Sequence, residues 1–312
     1  MMNVESRITV VIPVFNRPEL VKRAVASILQ QSEASSIIVV DDGSDPALQA
    51  FGPLAHPTVT IFRQVNAGGG AARNRGVQFA KTEFVTFLDS DDEAEPGWLA
   101  ALLSEFVDAS VAAVCCGIVQ VREGRVVGNV LPSDLGRPFW GVRGLFTQGG
   151  TYALRRDIFL ECGGFDEKMP ASQHTEFALR LTDYCRRGKL QIRSIERALI
   201  RYNIHGGPSI RTNDEAVFRA ATRLLEKHGP AIRLSPSYAR DTLATGGVRA
   251  IRAGKTKEGR ELLLRAVLAK PTWRGVLRLV GATSPGLARR IWPPTLKVGV
   301  KSQPSQHPND DT

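Results

Sequence analysis

Two acids separated by one residue, Asp89 and Asp91, leave the hydrophobic run Phe84–Leu88 in the segment FVTFLDSDD. Paired carboxylates on an extended turn offer all-oxygen ligation, which suits a hard divalent cation such as Mg2+ or Mn2+. A cation held by few protein groups keeps positions open for phosphate oxygens and neutralises charge on a diphosphate leaving group. The plainer alternative is that these acids cap a helix opening near Pro96-Gly97-Trp98. Two further polar clusters stand in similar places: Asp41-Asp42-Gly43-Ser44 follows the run ending at Val40, and Asn16-Arg17 follows Ile8–Phe15. NAGGGAARNRG, from Asn66 to Gly76, joins glycines that permit close backbone approach to Arg73 and Arg75. A phosphate-facing loop running into a helix has that composition, although the spacing is neither that of a P-loop nor G-x-G-x-x-G.

The elements around these clusters explain why the clusters should meet. ITVVIPVF, SIIVV, VTIF and FVTF are β-branched or aromatic runs without polar alternation, the pattern of parallel strands covered on both faces. ELVKRAVASILQQ repeats apolar residues at helical spacing between the first two. The first hundred residues therefore read as a doubly wound α/β half, in which ligands sit beyond the carboxyl ends of the strands. All three polar clusters fall at those ends. Ala109–Val130 reads as a hairpin turning at Glu123-Gly124, Gly136–Thr151 as a glycine-rich loop near a ligand, and Glu176–Arg187 as a helix. After Asn213 the pattern becomes helical, and the tail from Lys301 has nothing to bury.

Composition bounds the rest. The chain has 312 residues with 43% hydrophobic and 23% charged content, so a globular core is expected rather than a disordered chain. Residues 1–212 carry 23 basic and 23 acidic side chains, and residues 213–312 carry 18 and 8, which places the whole excess charge in the C-terminal third. Cys115, Cys116, Cys162 and Cys185 match neither a zinc site nor a disulfide framework, so a cytoplasmic setting is expected. The N-terminus lacks the pattern of a signal peptide, and no apolar stretch reaches the length of a membrane span. No nucleic-acid-binding signature accompanies the basic charge.

Taken together, VIPVFNR, VVDDGS, NAGGGAARNRG, FLDSDD and GGFDE resemble, in this order, the family 2 nucleotide-sugar glycosyltransferases of GT-A fold. The resemblance covers about residues 6–210. It implies a mainly parallel, doubly wound α/β domain over residues 6–212; the helical, basic region over 213–298 and the disordered tail over 299–312 are read from the chain's own pattern and are not explained by the resemblance. It further implies a metal-dependent enzyme that moves a sugar from a nucleoside diphosphate, with UDP favoured, to a glycan or lipid-linked hydroxyl with inversion. By similarity Pro13, Phe15, Asn16, Arg17, Asn66 and Arg73 lie at the donor, Asp42 receives the base, and Asp89 sits near the ribose and the metal's water shell. Asp91 would be the main ligand of the divalent cation, Mn2+ or Mg2+, with His205 of RYNIHGG reaching the metal or diphosphate.

Where relatives carry a Glu-Asp pair opening a helix, this chain has Gln173-His174. An imidazole accepts a proton near neutral pH, so His174 is the first candidate for the base, with Glu176 the competitor and Asp166 a third. Asn203 stands where relatives commonly have Arg. Ala250–Pro271 looks like a single tetratricopeptide-type hairpin, and the segment from Thr272 mixes Trp273, Trp292 and several arginines in a way that suits an anionic membrane surface at the inner face. Two other readings compete: a scaffold subunit that binds a nucleotide sugar without transferring it, motivated by His174, and a nucleotidyltransferase, disfavoured by the lack of an N-terminal glycine-rich phosphate loop.

Overall fold

The computed structural model describes residues 6–204, 212–282 and 291. Its first half alternates strand and helix: β1 (Ile8–Val14), α1 (Pro18–Leu29), β2 (Ser35–Asp41), β3 (Val59–Arg63), α2 (Gly69–Phe79) and β4 (Phe84–Phe87). These strands lie in the parallel order β3-β2-β1-β4. The chain winds outward from β1 through α1 and returns through α2 to β4, so the topological switch point falls between β1 and β4. Alternation of side chains is strict. Ile8, Val10, Ile12 and Val14 pack on the face with α1, while Val11 packs on the face with α2. Gly76 is required there, because a Cβ would stand 2.3 Å from a methyl of Val11.

The second half adds β5 (Glu93–Ala94), α3 (Trp98–Ser104), β6 (Val111–Arg122), β7 (Arg125–Val130), β8 (Ser133–Asp134), β9 (Arg143–Gly144), β10 (Tyr152–Arg155), α4 (Arg156–Glu161), α5 (Gln173–Gly188) and β11 (Gln191–Ile204). Strand β10 inserts antiparallel between β4 and β6, β11 runs parallel to β6, and β5 closes that edge. The sheet is thus parallel in its first four strands and mixed beyond them. The hairpin β6–β7 turns at Glu123 and Gly124, both at positive φ, as a tight right-twisted hairpin demands.

Four helices follow: α6 (Asp214–Arg233), α7 (Pro236–Arg252), α8 (Thr256–Ala269) and α9 (Trp273–Gly281). Ala220, Leu224, Ile232 and Ala239 share one apolar cluster with α5 and the sheet, so α6 completes the core of the α/β domain. Residues on both sides of position 212 thus contribute to one apolar cluster. Helices α7 and α8 form the hairpin, whose first arm starts at Pro236 rather than near Ala250. No helix among the described residues is long and apolar enough to cross a membrane. The tail expected to be disordered lies outside the described residues.

Candidate active site

The polar clusters meet above the carboxyl ends of β1, β2 and β4. Asn16 ends β1 in the left-handed region; its backbone N–H donates to Ser44 Oγ at 2.9 Å and its Oδ1 accepts from the Asp45 N–H at 2.8 Å. The conformation turns Arg17 toward β4, where its guanidinium reaches Asp91 Oδ2 at 2.5 Å. Pro13 remains within β1, and Phe15 is left half exposed at the rim.

Asp42 is committed to the glycine-rich loop. Its carboxylate accepts from the N–H groups of Ala67 and Gly68 at 2.8 and 2.9 Å and from Gln64 Nε2 at 2.8 Å. Those N–H groups lie at the start of α2, where a negative charge is favourable. Asp42, the expected partner of the base, thus also fixes the loop that carries the exposed Asn66. The loop runs into α2 as expected, but its two arginines part. Arg73 is buried and donates to Asp89, while Arg75 is exposed and lies 5.4 Å over the Phe79 ring.

Asp89 accepts from the Gly149 N–H at 3.4 Å as well as from Arg73. Burial alone would raise its pKa, yet the guanidinium of Arg73 and the Gly149 N–H outweigh burial and hold the carboxyl below its usual range. Neither Asp89 nor Asp91 caps α3, whose N-cap is Gly97. Asp92 and Asn203 brace the acidic turn: Asp92 accepts from Gln148 Nε2 at 3.2 Å and from the Asn203 N–H at 3.1 Å, and the Asn203 amide donates to the Asp91 carbonyl at 2.8 Å.

The start of α5 comes to the same place. Gln173 Oε1 accepts from Arg73 at 3.3 Å, so the arginine spans from the acidic turn to the helix. His174 is 7% exposed, with Nδ1 2.8 Å from the Tyr152 hydroxyl and the ring edge-on to Phe87, Phe165 and Tyr152. Burial drives the Tyr152 hydroxyl well above its ordinary pKa, so it stays protonated.

Glu176, the competing base candidate, sits in a different setting. It is fully buried, is gripped by Arg180 at 2.9 and 2.6 Å, and accepts from Lys227 and His228 of α6 at 2.8 and 2.9 Å. Burial would raise its pKa, but hydrogen bonds from His228, Arg180 and Lys227 hold it far below the usual carboxylate range. A carboxylate stabilised so strongly in its ionised form is a poor proton acceptor, and it acts as a strut between α5 and α6. The kink at His228, beside Pro230, is what turns that imidazole inward. Asp166 is held similarly by Arg223 at 2.9 and 3.0 Å and Lys227 at 3.0 Å.

Asp89 and Asp91 supply only carboxylate oxygens, and no cage of three or more ligating side chains exists among the described residues. His205 lies outside the described residues. The pair nonetheless fits a divalent cation completed by phosphate oxygens, because Mg2+ sites commonly use one or two carboxylates with the substrate. The guanidinium against Asp91 shows that this carboxylate already receives a positive charge.

A sequence model described as glycosyl transferase family 2 matches residues 9–163, a span that holds the whole acidic rim. The chain belongs to that family. This glycosyltransferase is 28% identical over 252 residues to the uncharacterized glycosyltransferase YibD of Escherichia coli K12, covering 73% of this chain and 72% of YibD. It spans only 39% of the length of two further relatives, 33% identical over 189 residues. Its fold is that of S. aureus TarS 1-349 in complex with UDP-GlcNAc (TM-score 0.59, 15% identity, 90% of this chain and 88% of that one). A Pyrobaculum calidifontis mannosyltransferase in complex with GDP-Man and Mn2+ is also similar (TM-score 0.50, 18% identity, 94% and 82%).

The sequence did not reveal one part of the site. Only the fold brings the Tyr152 hydroxyl to His174, 22 residues away. Trp98 and Phe139 are buried in the core, and half-exposed Trp140 is covered by the guanidinium of Arg186 at 4.1 Å.

Proposed function

We propose that this glycosyltransferase moves a sugar from a nucleoside diphosphate, UDP by preference, to a hydroxyl of a glycan or lipid-linked acceptor, with inversion. The single observation that carries this reading is Arg73, which reaches from Asp89 at the acidic turn to Gln173 beside His174. Donor-side acids and an acceptor-side base candidate are thereby held in one site. The nucleotide-sugar complexes of the similar folds, UDP-GlcNAc and GDP-Man with Mn2+, favour the same donor class.

In this reading Asp91 and Asp89 would hold a divalent cation, which would supply charge to neutralise a diphosphate leaving group. Asp42 and the Asn66–Gly68 backbone shape the nucleoside end. Arg17 and Arg73 face the phosphates, each able to exchange a carboxylate partner for a phosphate oxygen. The acceptor oxygen attacks the anomeric carbon as the bond to the diphosphate breaks, and His174 takes the acceptor's proton. A lipid-linked acceptor would place the reaction at the inner face of a membrane, in surface polysaccharide assembly.

Nucleotide release from UDP-GlcNAc, UDP-glucose and GDP-mannose, measured with Mn2+ against glycan and polyprenyl-linked acceptors, tests the proposal. Acceptor-dependent release from one donor, lost in His174→Ala, is expected. Tight donor binding with no turnover on any acceptor would favour a scaffold subunit instead.

A further inference from the structure

Helix α9 carries its apolar residues on the wrong side for a core helix. Trp273, Val276, Leu277 and Val280, spaced i, i+3, i+4 and i+7, form one stripe, yet they are 68%, 44%, 58% and 53% exposed. The residues that pack inward are Leu279 and the small Gly281 and Ala282. An amphipathic helix ordinarily turns such a stripe to the protein interior. Thr272 caps the helix, its Oγ1 accepting from the Gly275 N–H at 3.0 Å. Leu264 and Leu268 of α8 are likewise exposed, at 47% and 72%.

The charge beside the stripe has one sign. Arg274 and Arg278, one turn apart along one flank of α9, are exposed and have no carboxylate partner among the described residues. With Arg240, Trp273, Leu263 and Ala266 they line a cleft of about 390 Å3 between α7, α8 and α9. The one acid in that cleft, Asp241, is taken by Arg240 at 2.7 Å. An indole and aliphatic stripe edged by guanidinium groups without carboxylate partners among the described residues, that of Arg274 lying 5.2 Å over the Trp273 ring, complements an interface that is apolar beneath an anionic surface.

We infer that the exposed face of α9 docks this chain onto an anionic lipid bilayer, with Trp273 and Leu277 entering the headgroup boundary and Arg274 and Arg278 meeting lipid phosphates. The excess of 18 basic over 8 acidic side chains in residues 213–312 draws the same end toward that surface. The inference stands apart from the transfer chemistry, since none of these residues belongs to the site above the sheet.

Flotation of the full chain with vesicles tests it. The wild type should float with vesicles of phosphatidylcholine containing about 30% phosphatidylglycerol and stay behind with phosphatidylcholine alone. Binding should fall steeply as salt rises from about 0.1 to 0.5 M. Leu277→Glu should weaken binding at least about tenfold, and Arg274→Gln with Arg278→Gln about fivefold per charge, with melting temperature and donor binding unchanged. Equal flotation with neutral vesicles, no flotation with anionic ones, or wild-type flotation of Leu277→Glu would each overturn the assignment.

Discussion

The guanidinium of Arg17 lies 2.5 Å from Asp91 Oδ2, joining the carboxyl ends of β1 and β4 across the topological switch point. Both side chains are partly exposed, so the pair is worth at most about 1 kcal/mol and yields readily to a stronger partner. Arg17 and a divalent cation compete for one carboxylate. Arg17→Ala should therefore bind Mn2+ up to about fivefold more tightly in the absence of nucleotide, as read by manganese titration, while nucleotide affinity falls. Weaker Mn2+ binding in this variant would show that Arg17 does not hold Asp91 back.

His174 stands where a carboxylate would be expected and is braced by Tyr152 at 2.8 Å. If it takes the acceptor's proton, His174→Ala should lower kcat about a hundredfold or more with donor KM little changed. His174→Asp, which restores a proton-accepting side chain, should recover part of that loss. Equal kcat in wild type and His174→Ala would remove His174 from the chemistry.

Gly149 borders the acidic turn so closely that a Cβ would stand 2.8 Å from Asp89 Oδ1 and 3.0 Å from its backbone nitrogen. Gly149→Ala should displace Asp89 and weaken donor binding roughly tenfold, about 1.4 kcal/mol, without unfolding the chain. Calorimetry of donor binding beside a thermal melt separates the two effects.

Glu176 ties α5 to α6 through Arg180, Lys227 and His228. Its pKa is depressed on folding, so its stabilisation is present above its unfolded value of 4.5 and is lost as pH falls toward the folded value. Denaturant melts should show stability declining below about pH 5, and Glu176→Ala should cost about 3 kcal/mol at neutral pH by leaving Arg180, Lys227 and His228 without this carboxylate. The variant should also lose most of that acid dependence. A variant as stable as wild type at neutral pH would contradict the strut.

Much of this arrangement was legible from local pattern. The unbroken apolar runs of β1, β2 and β4 announce strands buried on both faces, and the polar residues that end them had to share one rim. The hairpin at Glu123-Gly124 follows from turn chemistry alone. What stayed hidden depends on long-range packing. Tyr152–Arg155 is a strand of four residues whose antiparallel place between β4 and β6 is set by its neighbours. Likewise nothing near Glu176 in sequence signals His228, 52 positions away, so a buried ion-pair hub reads as a free base candidate.

Calorimetric titration of UDP into the wild type and Asp91→Asn, each with Mn2+ and with EDTA, tests the central claim most directly. A metal-dependent nucleotide site at the acidic turn predicts saturable binding by the wild type only with Mn2+, weakened at least about tenfold in Asp91→Asn. Equal UDP affinity with and without the cation, or in both proteins, would contradict it.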